Sequence, residues 1–231
     1  MTPEQQLAPL LLEWWREHGR RHLPWQQNPT PYRVWVSEIM LQQTQVPTVE
    51  RYYPRFMQSF PGVLSLADSD QDDVLHHWSG LGYYARARNL HRAAQVVRDE
   101  HGGVVPEDFD ALYALPGIGR STAGAILALS RNQRHPILDG NVKRVIARVF
   151  EVGGWPGRST VARELWALAD RCTPGGEAAT YTQAIMDLGA TLCTRSRPDC
   201  DRCPLRSICR ARSAGTQADY PGRAPKRKRP S

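Results

Sequence analysis

The sequence predicts an all-α protein, and three observations carry that expectation. Apolar residues recur at helical spacing through most of the chain. Several of these runs open on a capping residue or on a proline at the first helical position. No stretch of four or more residues alternates apolar and polar cleanly enough to make a strand.

Taken in order, Thr2 caps a first helix with Pro3 at its start and Gln5 closing a capping box. Leu7, Leu10, Leu11, Trp14 and Trp15 form its apolar face, and Gly19 ends it. His22 to Trp25 read as a loop. Thr30-Pro31 starts a second helix that runs to about Gln43. Val49, Tyr52, Tyr53, Phe56 and Phe60 mark a third, stopped by Pro61-Gly62. Short helical pieces follow over Val63–Ala67 and Asp72–Trp78, and Gly80-Leu81-Gly82 breaks the chain. Residues 84 to 100 form a helix with Leu90 and Val97 inside and Arg86, Arg88 and Arg92 outside. Asp108 caps a short helix that enters a turn at Pro116-Gly117, and further helices fit 120–131, 140–150, 159–171 and 177–191. Beyond Cys209 the pattern dissolves into a loop and a flexible basic tail.

The 231 residues carry a net charge of +7, unevenly placed. Residues 1–192 hold 19 basic and 20 acidic side chains, whereas 193–231 hold 11 and 3, so the whole excess lies in the last 39 residues. That is a local signal for an anionic partner. No stretch is apolar enough to span a membrane, and the N-terminal residues lack the basic start and apolar core of a signal peptide. A reducing cytoplasmic location is the expectation. The five cysteines then point to metal rather than disulfides.

Residues 115 to 144 organise the chain. Leu115-Pro116-Gly117-Ile118-Gly119 is a tight turn that opens a helix near Arg120, and free amides at a helix start suit a phosphate. Asp139 follows, then Gly140-Asn141 and a basic amphipathic helix. Asp139 reads as an N-cap whose nearby amides and helix dipole keep it ionised. Glu38 differs from it. Its neighbours one turn away are Val34, Trp35, Leu41 and Gln42, none cationic and three apolar. A carboxyl there is either a packing oddity or a group whose pKa desolvation raises, and a raised pKa suits a general acid. One protonated and one ionised carboxyl facing a cleft suit cleavage of a bond to a sugar.

Cys193, Cys200, Cys203 and Cys209 are spaced C-x6-C-x2-C-x5-C. Structural zinc usually shows two close ligand pairs, and here only Cys200 and Cys203 are close. The wide spacing fits a bulky iron–sulfur cluster better, with zinc left open. Arg195, Arg197, Arg202, Arg206, Arg210 and Arg212 surround these cysteines, while Cys172 lies outside the pattern and reads as a buried apolar residue.

Together these features resemble the helix-hairpin-helix DNA glycosylase superfamily, and within it the adenine DNA glycosylases, over roughly residues 5 to 225. The Leu115–Gly119 turn, Asp139 and the cysteine spacing are shared with the endonuclease III branch. Residues 35–46, 80–90 and 137–144 are closer to the adenine branch. The resemblance implies two helical domains. A six-helix domain over 28–134 holds the hairpin. An iron–sulfur domain is made of 1–27 and 135–213 and carries a [4Fe-4S] cluster on the four cysteines, and 214–231 is a basic tail or linker. DNA would bind across the cleft between the domains.

The implied reaction is hydrolysis of the N-glycosidic bond of an adenine mispaired with 8-oxoguanine or guanine in double-stranded DNA, after the base leaves the stack. By resemblance, Glu38 protonates the purine, Asp139 stabilises the sugar cation, and Asn141 orients Asp139 or the water. Trp25, Leu41 and Gln183 match positions lining the adenine pocket. Gln43 and Tyr83 match residues that wedge into the stack, and the amides near Gly117 and Gly119, with Ser121 and Lys143, match DNA contacts. The protein is expected to act as a monomer. Where lyase-active relatives place a lysine, this chain has Ser121; Lys143 is the only lysine before the tail. A monofunctional glycosylase with at most weak strand cleavage is expected. The segment from Tyr220 resembles the start of a connector to an 8-oxoguanine-recognition domain, so these residues are expected to be the catalytic part of a longer protein or a naturally short member of the family. Two rival readings are a thymine or damaged-pyrimidine glycosylase on the same scaffold and a non-catalytic DNA-binding module.

Overall fold

The computed structural model describes residues 1–225, and among them there is no strand. The chain divides into two compact units. One is Arg21–Gln133; the other joins Met1–Arg20 to the described residues from Arg134 onward.

The first unit holds seven helices: α2 Pro31–Leu41, α3 Val46–Ser59, α4 Val63–Ala67, α5 Gln71–Trp78, α6 Ala85–Glu100, α7 Phe109–Ala114 and α8 Arg120–Arg131. Local chemistry sets their starts. Thr30 accepts the Arg33 amide at the head of α2, and Asp108 accepts the Ala111 amide at 2.9 Å at the head of α7. The core is aromatic-rich, with Trp35, Trp78, Tyr53 and Phe56 fully buried beside Met40, Leu66, Leu90, Leu112 and Ile126. Phe56 meets the Trp78 ring edge-on at 5.9 Å, and Trp25 meets Tyr53 at 5.7 Å. Helix α2 packs along α8, and α4 along α6.

The second unit is built from α1 Pro3–His18, α9 Gly140–Phe150, α10 Ser159–Cys172, α11 Ala178–Thr191 and a short α12 Arg210–Ala214. Helix α9 lies against α11 and α12, and α1 lies against α10 and α11. The buried face of α9 is Val142, Val145, Ile146 and Val149. Cys172 is buried, and burial pushes its thiol up to about 12.

Several expectations are corrected. Leu23 and Trp25 are buried in the first unit's core, and a 3-10 turn spans Pro24–Gln26, so residues 21–27 pack with that unit rather than with α1. The boundary implied by the resemblance falls after residue 27, but the two apolar side chains of this loop place it with the first unit. The short helices α4 and α5 lie where the sequence placed two separate helical pieces, α5 starting one residue earlier at Gln71. Helix α2 stops at Leu41 rather than Gln43, because Gln43 takes a left-handed backbone with φ 58°. Arg86, expected outside, is half-buried and turned toward that helix end. The chain after Cys209 is not a loose tail throughout. Helix α12 packs on α9, and Arg148 donates to the carbonyls of Gln217 and Tyr220. The basic run Lys226–Arg229 lies outside the described residues.

Candidate active site

The hairpin turn in the first unit is built as its sequence requires. Gly117 has φ 80°, and a Cβ there would stand 2.8 Å from the Cβ of Asn89 on α6, so only glycine fits. Gly119 is the N-cap of α8, exposed and extended, with open space where a Cβ would stand. The first-turn amides of α8 therefore follow a backbone that a ligand can approach closely. Ser121 is half-buried in that turn.

Glu38 sits mid-way along α2 and is half-buried, while Val34, Trp35, Ile39 and Met40 around it are buried. The apolar setting expected for this carboxyl is present on its own helix. Leu41 is half-buried against the core, and Trp25 is 6% exposed within it.

Gln43 and Tyr83 are both exposed, and both hold the left-handed backbone that non-glycine residues seldom adopt, with φ 58° and 49°. One guanidinium serves both segments. Arg86 Nη1 donates to the carbonyls of Ile39, Met40 and Gln42, which are last-turn acceptors of α2. Its Nη2 donates to the Thr44 hydroxyl and to the carbonyls of Leu81 and Gly82. The same group lies 5.6 Å from the Tyr83 ring centroid and 5.4 Å from that of Trp78. Burial draws its pKa below the ordinary arginine value, while the carbonyl dipoles hold the charge in place.

In the second unit Asp139 caps α9, its Oδ1 accepting the Val142 amide at 2.8 Å. Desolvation raises its carboxyl above the ordinary aspartate range, opposed by the Val142 amide, Arg144, the Asn141 amide and Lys143. The amide contacts expected of this cap are present and lower the pKa, but burial is the larger effect. Asn141 and Lys143 are half-buried on the first turn of the same helix.

Arg144 fixes this turn. It donates to Asn141 Oδ1 at 2.8 Å, to the Gly189 carbonyl at 2.6 Å and to the Cys193 carbonyl at 2.7 Å. It thereby ties the start of α9 to the end of α11 and to the first cysteine. Gly189 allows the approach, since a Cβ there would be 2.6 Å from the Asn141 Cβ. Gln183 is buried on α11, and its amide nitrogen donates to Asp187 at 3.0 Å. Asp187, 1% exposed, also accepts from the Arg20 backbone and guanidinium and from the Trp15 indole.

The four cysteines line one pocket floored by Val145, Val149, Leu188 and Leu205. Among the described residues no three His, Cys, Asp or Glu side chains are gathered as a holder for a single metal ion. The thiols ring a space rather than a point. Arg148 donates to Cys193 Sγ at 3.3 Å, and Gln217 to Cys200 Sγ at 3.7 Å. Without a metal, burial pushes the Cys203 thiol up to about 12, so thiolates there need a cationic group to stay ionised. Beside this loop Arg195, Arg212 and Arg223 line an open hollow. Part of the loop's arginine charge is met internally, through the pairs Arg202–Asp199 and Arg212–Asp201.

The sequence pattern of the HhH-GPD superfamily of base excision DNA repair proteins matches residues 36–171, and the chain belongs to that superfamily. Within it, 212 residues are 45% identical to an adenine DNA glycosylase of Buchnera aphidicola subsp. Acyrthosiphon pisum, covering 92% of this chain and 61% of that one. The human adenine DNA glycosylase is 43% identical over 207 residues, covering 86% of this chain and 38% of the relative. That of Mycolicibacterium smegmatis is 40% identical over 213 residues, covering 92% and 72%. The chain thus spans about three fifths of the length of the first of these relatives. Among solved structures, a thermostable thymine-DNA glycosylase superposes with TM-score 0.80 at 26% identity, covering 92% of this chain and 97% of that one. An endonuclease III–DNA complex shares the fold, with TM-score 0.76 at 20% identity, covering 94% and 99%.

Arg86, Arg144, Asp187 and Arg20 were not singled out by sequence reasoning as site residues. Arg144 stands inside the 137–144 stretch, but its acceptors lie 45 and 49 residues away. Asp187 offered one signal, being the single charged residue of α11, one turn beyond Gln183.

Proposed function

We propose that this chain is the catalytic part of an adenine DNA glycosylase that acts on double-stranded DNA carrying adenine opposite 8-oxoguanine or guanine. The observation that carries the reading is the presence of two unlike carboxyls at motif positions, one in each unit. Glu38 stands on an apolar helix, and Asp139 is held at the head of α9 by the Val142 amide, beside Asn141 and Arg144.

The extruded adenosine loses its base by cleavage of the N9–C1′ bond. Glu38 gives its proton to N7, so the bonding electron pair departs on a neutral purine. Asp139 stabilises the positive charge on the sugar, water adds its oxygen to C1′, and the proton released restores a carboxyl. Asn141, fixed by Arg144, orients Asp139 or the water. Trp25, Leu41 and Gln183 receive the base. Gln43 and Tyr83 enter the stack, and the amides around Gly117 and Gly119, with Ser121 and Lys143, meet phosphate or sugar.

Cys193, Cys200, Cys203 and Cys209 fit a [4Fe-4S] cluster: four sulfur donors ring one apolar space, with an arginine donating to one of them. Held by these four cysteines, such a cluster would supply a structural tie for the loop that presents Arg195 and Arg212.

The test is single-turnover adenine release by Glu38→Gln and Asp139→Asn. Both are expected to bind mispaired DNA and to lose about 10²-fold or more of the rate. Release at the parental rate by either variant would remove that residue from the chemistry. A second reading, thymine or damaged-pyrimidine excision, is favoured by the 26% identity to a thymine-DNA glycosylase. Base release from A·G, A·8-oxoguanine and T·G duplexes separates the two.

A further inference from the structure

We propose that Arg86 is a positioning residue that locks Gln43 and Tyr83 into one rigid two-pronged wedge. The inference rests on the role given above to those two residues, and it deepens it. Each prong sits at a left-handed backbone position on an exposed turn, which short turns do not hold without support. Both are fixed from behind by the same guanidinium, whose six acceptors are split four and two between neighbours of the two segments, a span no single lysine could match. Four of them, the carbonyls of Ile39, Met40 and Gln42 and the hydroxyl of Thr44, bracket Gln43. The other two, the carbonyls of Leu81 and Gly82, precede Tyr83.

Two further contacts support the lock. The Trp78 indole donates to the Gly82 carbonyl at 3.2 Å, and the Trp78 ring, fully buried, backs the guanidinium. The Arg86 guanidinium also lies against the Tyr83 ring. A planar group with a fixed fork of donors can span two loops, whereas an ammonium is a point charge that satisfies one. The consequence is that base extrusion depends on a residue that need not touch DNA. Opening a stack requires prongs that do not yield, and a hinge in either turn would let the duplex close over them.

The experiment uses the full chain with Arg86→Lys, Arg86→Gln and the milder Thr44→Val. Two duplexes carry adenine opposite guanine, one with matched flanks and one with mismatched flanks already loosened. A 2-aminopurine beside the opposing guanine reports unstacking by its fluorescence. On the matched duplex both Arg86 variants are expected to lose most of the fluorescence rise and to release adenine about 10- to 100-fold more slowly, with Lys failing to rescue. On the loosened duplex the deficit should shrink to about threefold, since the stack is already open. Thr44→Val, which removes one acceptor, should show the same pattern with a loss of about two- to fivefold. If the Arg86 variants do not fold, Thr44→Val decides.

An unchanged fluorescence rise, or equal slowing on both duplexes, overturns the proposal, because a general structural defect does not distinguish the substrates. Full rescue by lysine also overturns it. If the parent chain releases adenine from neither duplex, the adenine reading fails instead, and the fluorescence arm still reads the wedge.

Discussion

Gly189→Ala is a single-methyl test of how the start of α9 is held. The added Cβ would lie 2.6 Å from the Asn141 Cβ, 3.0 Å from its Cα and 3.1 Å from its carbonyl carbon. Two of those atoms are backbone, so no rotamer change relieves the contact. Ordinary van der Waals distance begins near 3.4 Å, so α9 and α11 must part by close to 1 Å at this crossing. Overpacking of this kind costs about 1–3 kcal/mol. Alanine returns about 1 kcal/mol of helix propensity relative to glycine. The net loss is about 0–2 kcal/mol, a fall in Tm of about 0–8 °C for a chain of this size. The effect on turnover should be larger. The bond from Arg144 to the Gly189 carbonyl, at 2.6 Å, crosses the gap that opens, and the same guanidinium nitrogen holds Asn141 at 2.8 Å within α9. A displacement of that size in a positioned group costs about 10²-fold in rate. Single-turnover adenine release beside a thermal melt measures both. A variant that melts near the parent and releases adenine within about twofold of its rate would refute the claim that this crossing sets the catalytic turn.

Three other outcomes follow from the same geometry. Burial raises the Asp139 carboxyl, so its ionised form destabilises the fold; that cost is absent below the ordinary aspartate pKa and grows as pH rises through the folded one. Asp139→Asn keeps an N-cap acceptor, so its Tm should equal or exceed the parent's at pH 7, with the difference closing on acidification toward about pH 4; a variant less stable at pH 7 than at pH 4, relative to the parent, contradicts this. Asp187→Ala strands the donors of Arg20, Trp15 and Gln183 and should cost about 2–4 kcal/mol in calorimetry, tempered because Arg20 is partly exposed; a loss under about 1 kcal/mol would show the network to be incidental. DNA affinity should fall with salt at a slope of about 0.9 per phosphate neutralised, and Arg195→Ala with Arg212→Ala should flatten it; an unchanged slope excludes these arginines from the backbone contact.

Much of the architecture was written locally. The helix at Pro31 begins where Thr30 can accept an amide, and α7 begins where Asp108 can. The apolar face of α9 repeats at helical spacing and is buried as that spacing requires. The turn at Gly117 was legible because its backbone has φ 80°, which glycine alone adopts freely. These features depend on residues within a turn or two of one another, so the order of amino acids fixes them.

Tertiary structure decided what depends on partners far along the chain. Arg86 looked like a solvent-facing arginine because helical spacing says which face a residue lies on. It cannot say that another helix ends there with its carbonyls unmet. Asp139 looked like an ordinary cap because its amide partners are adjacent in sequence, while the burial that raises its pKa comes from packing. Leu23 and Trp25 were assigned to the wrong unit for the same reason: a short loop carries no period, and only the core that buries them reveals its allegiance. Local sequence determines backbone shape because caps, turns and periodicity act over a few bonds. Burial and charge are sums over everything nearby in space, and those the folded chain alone supplies.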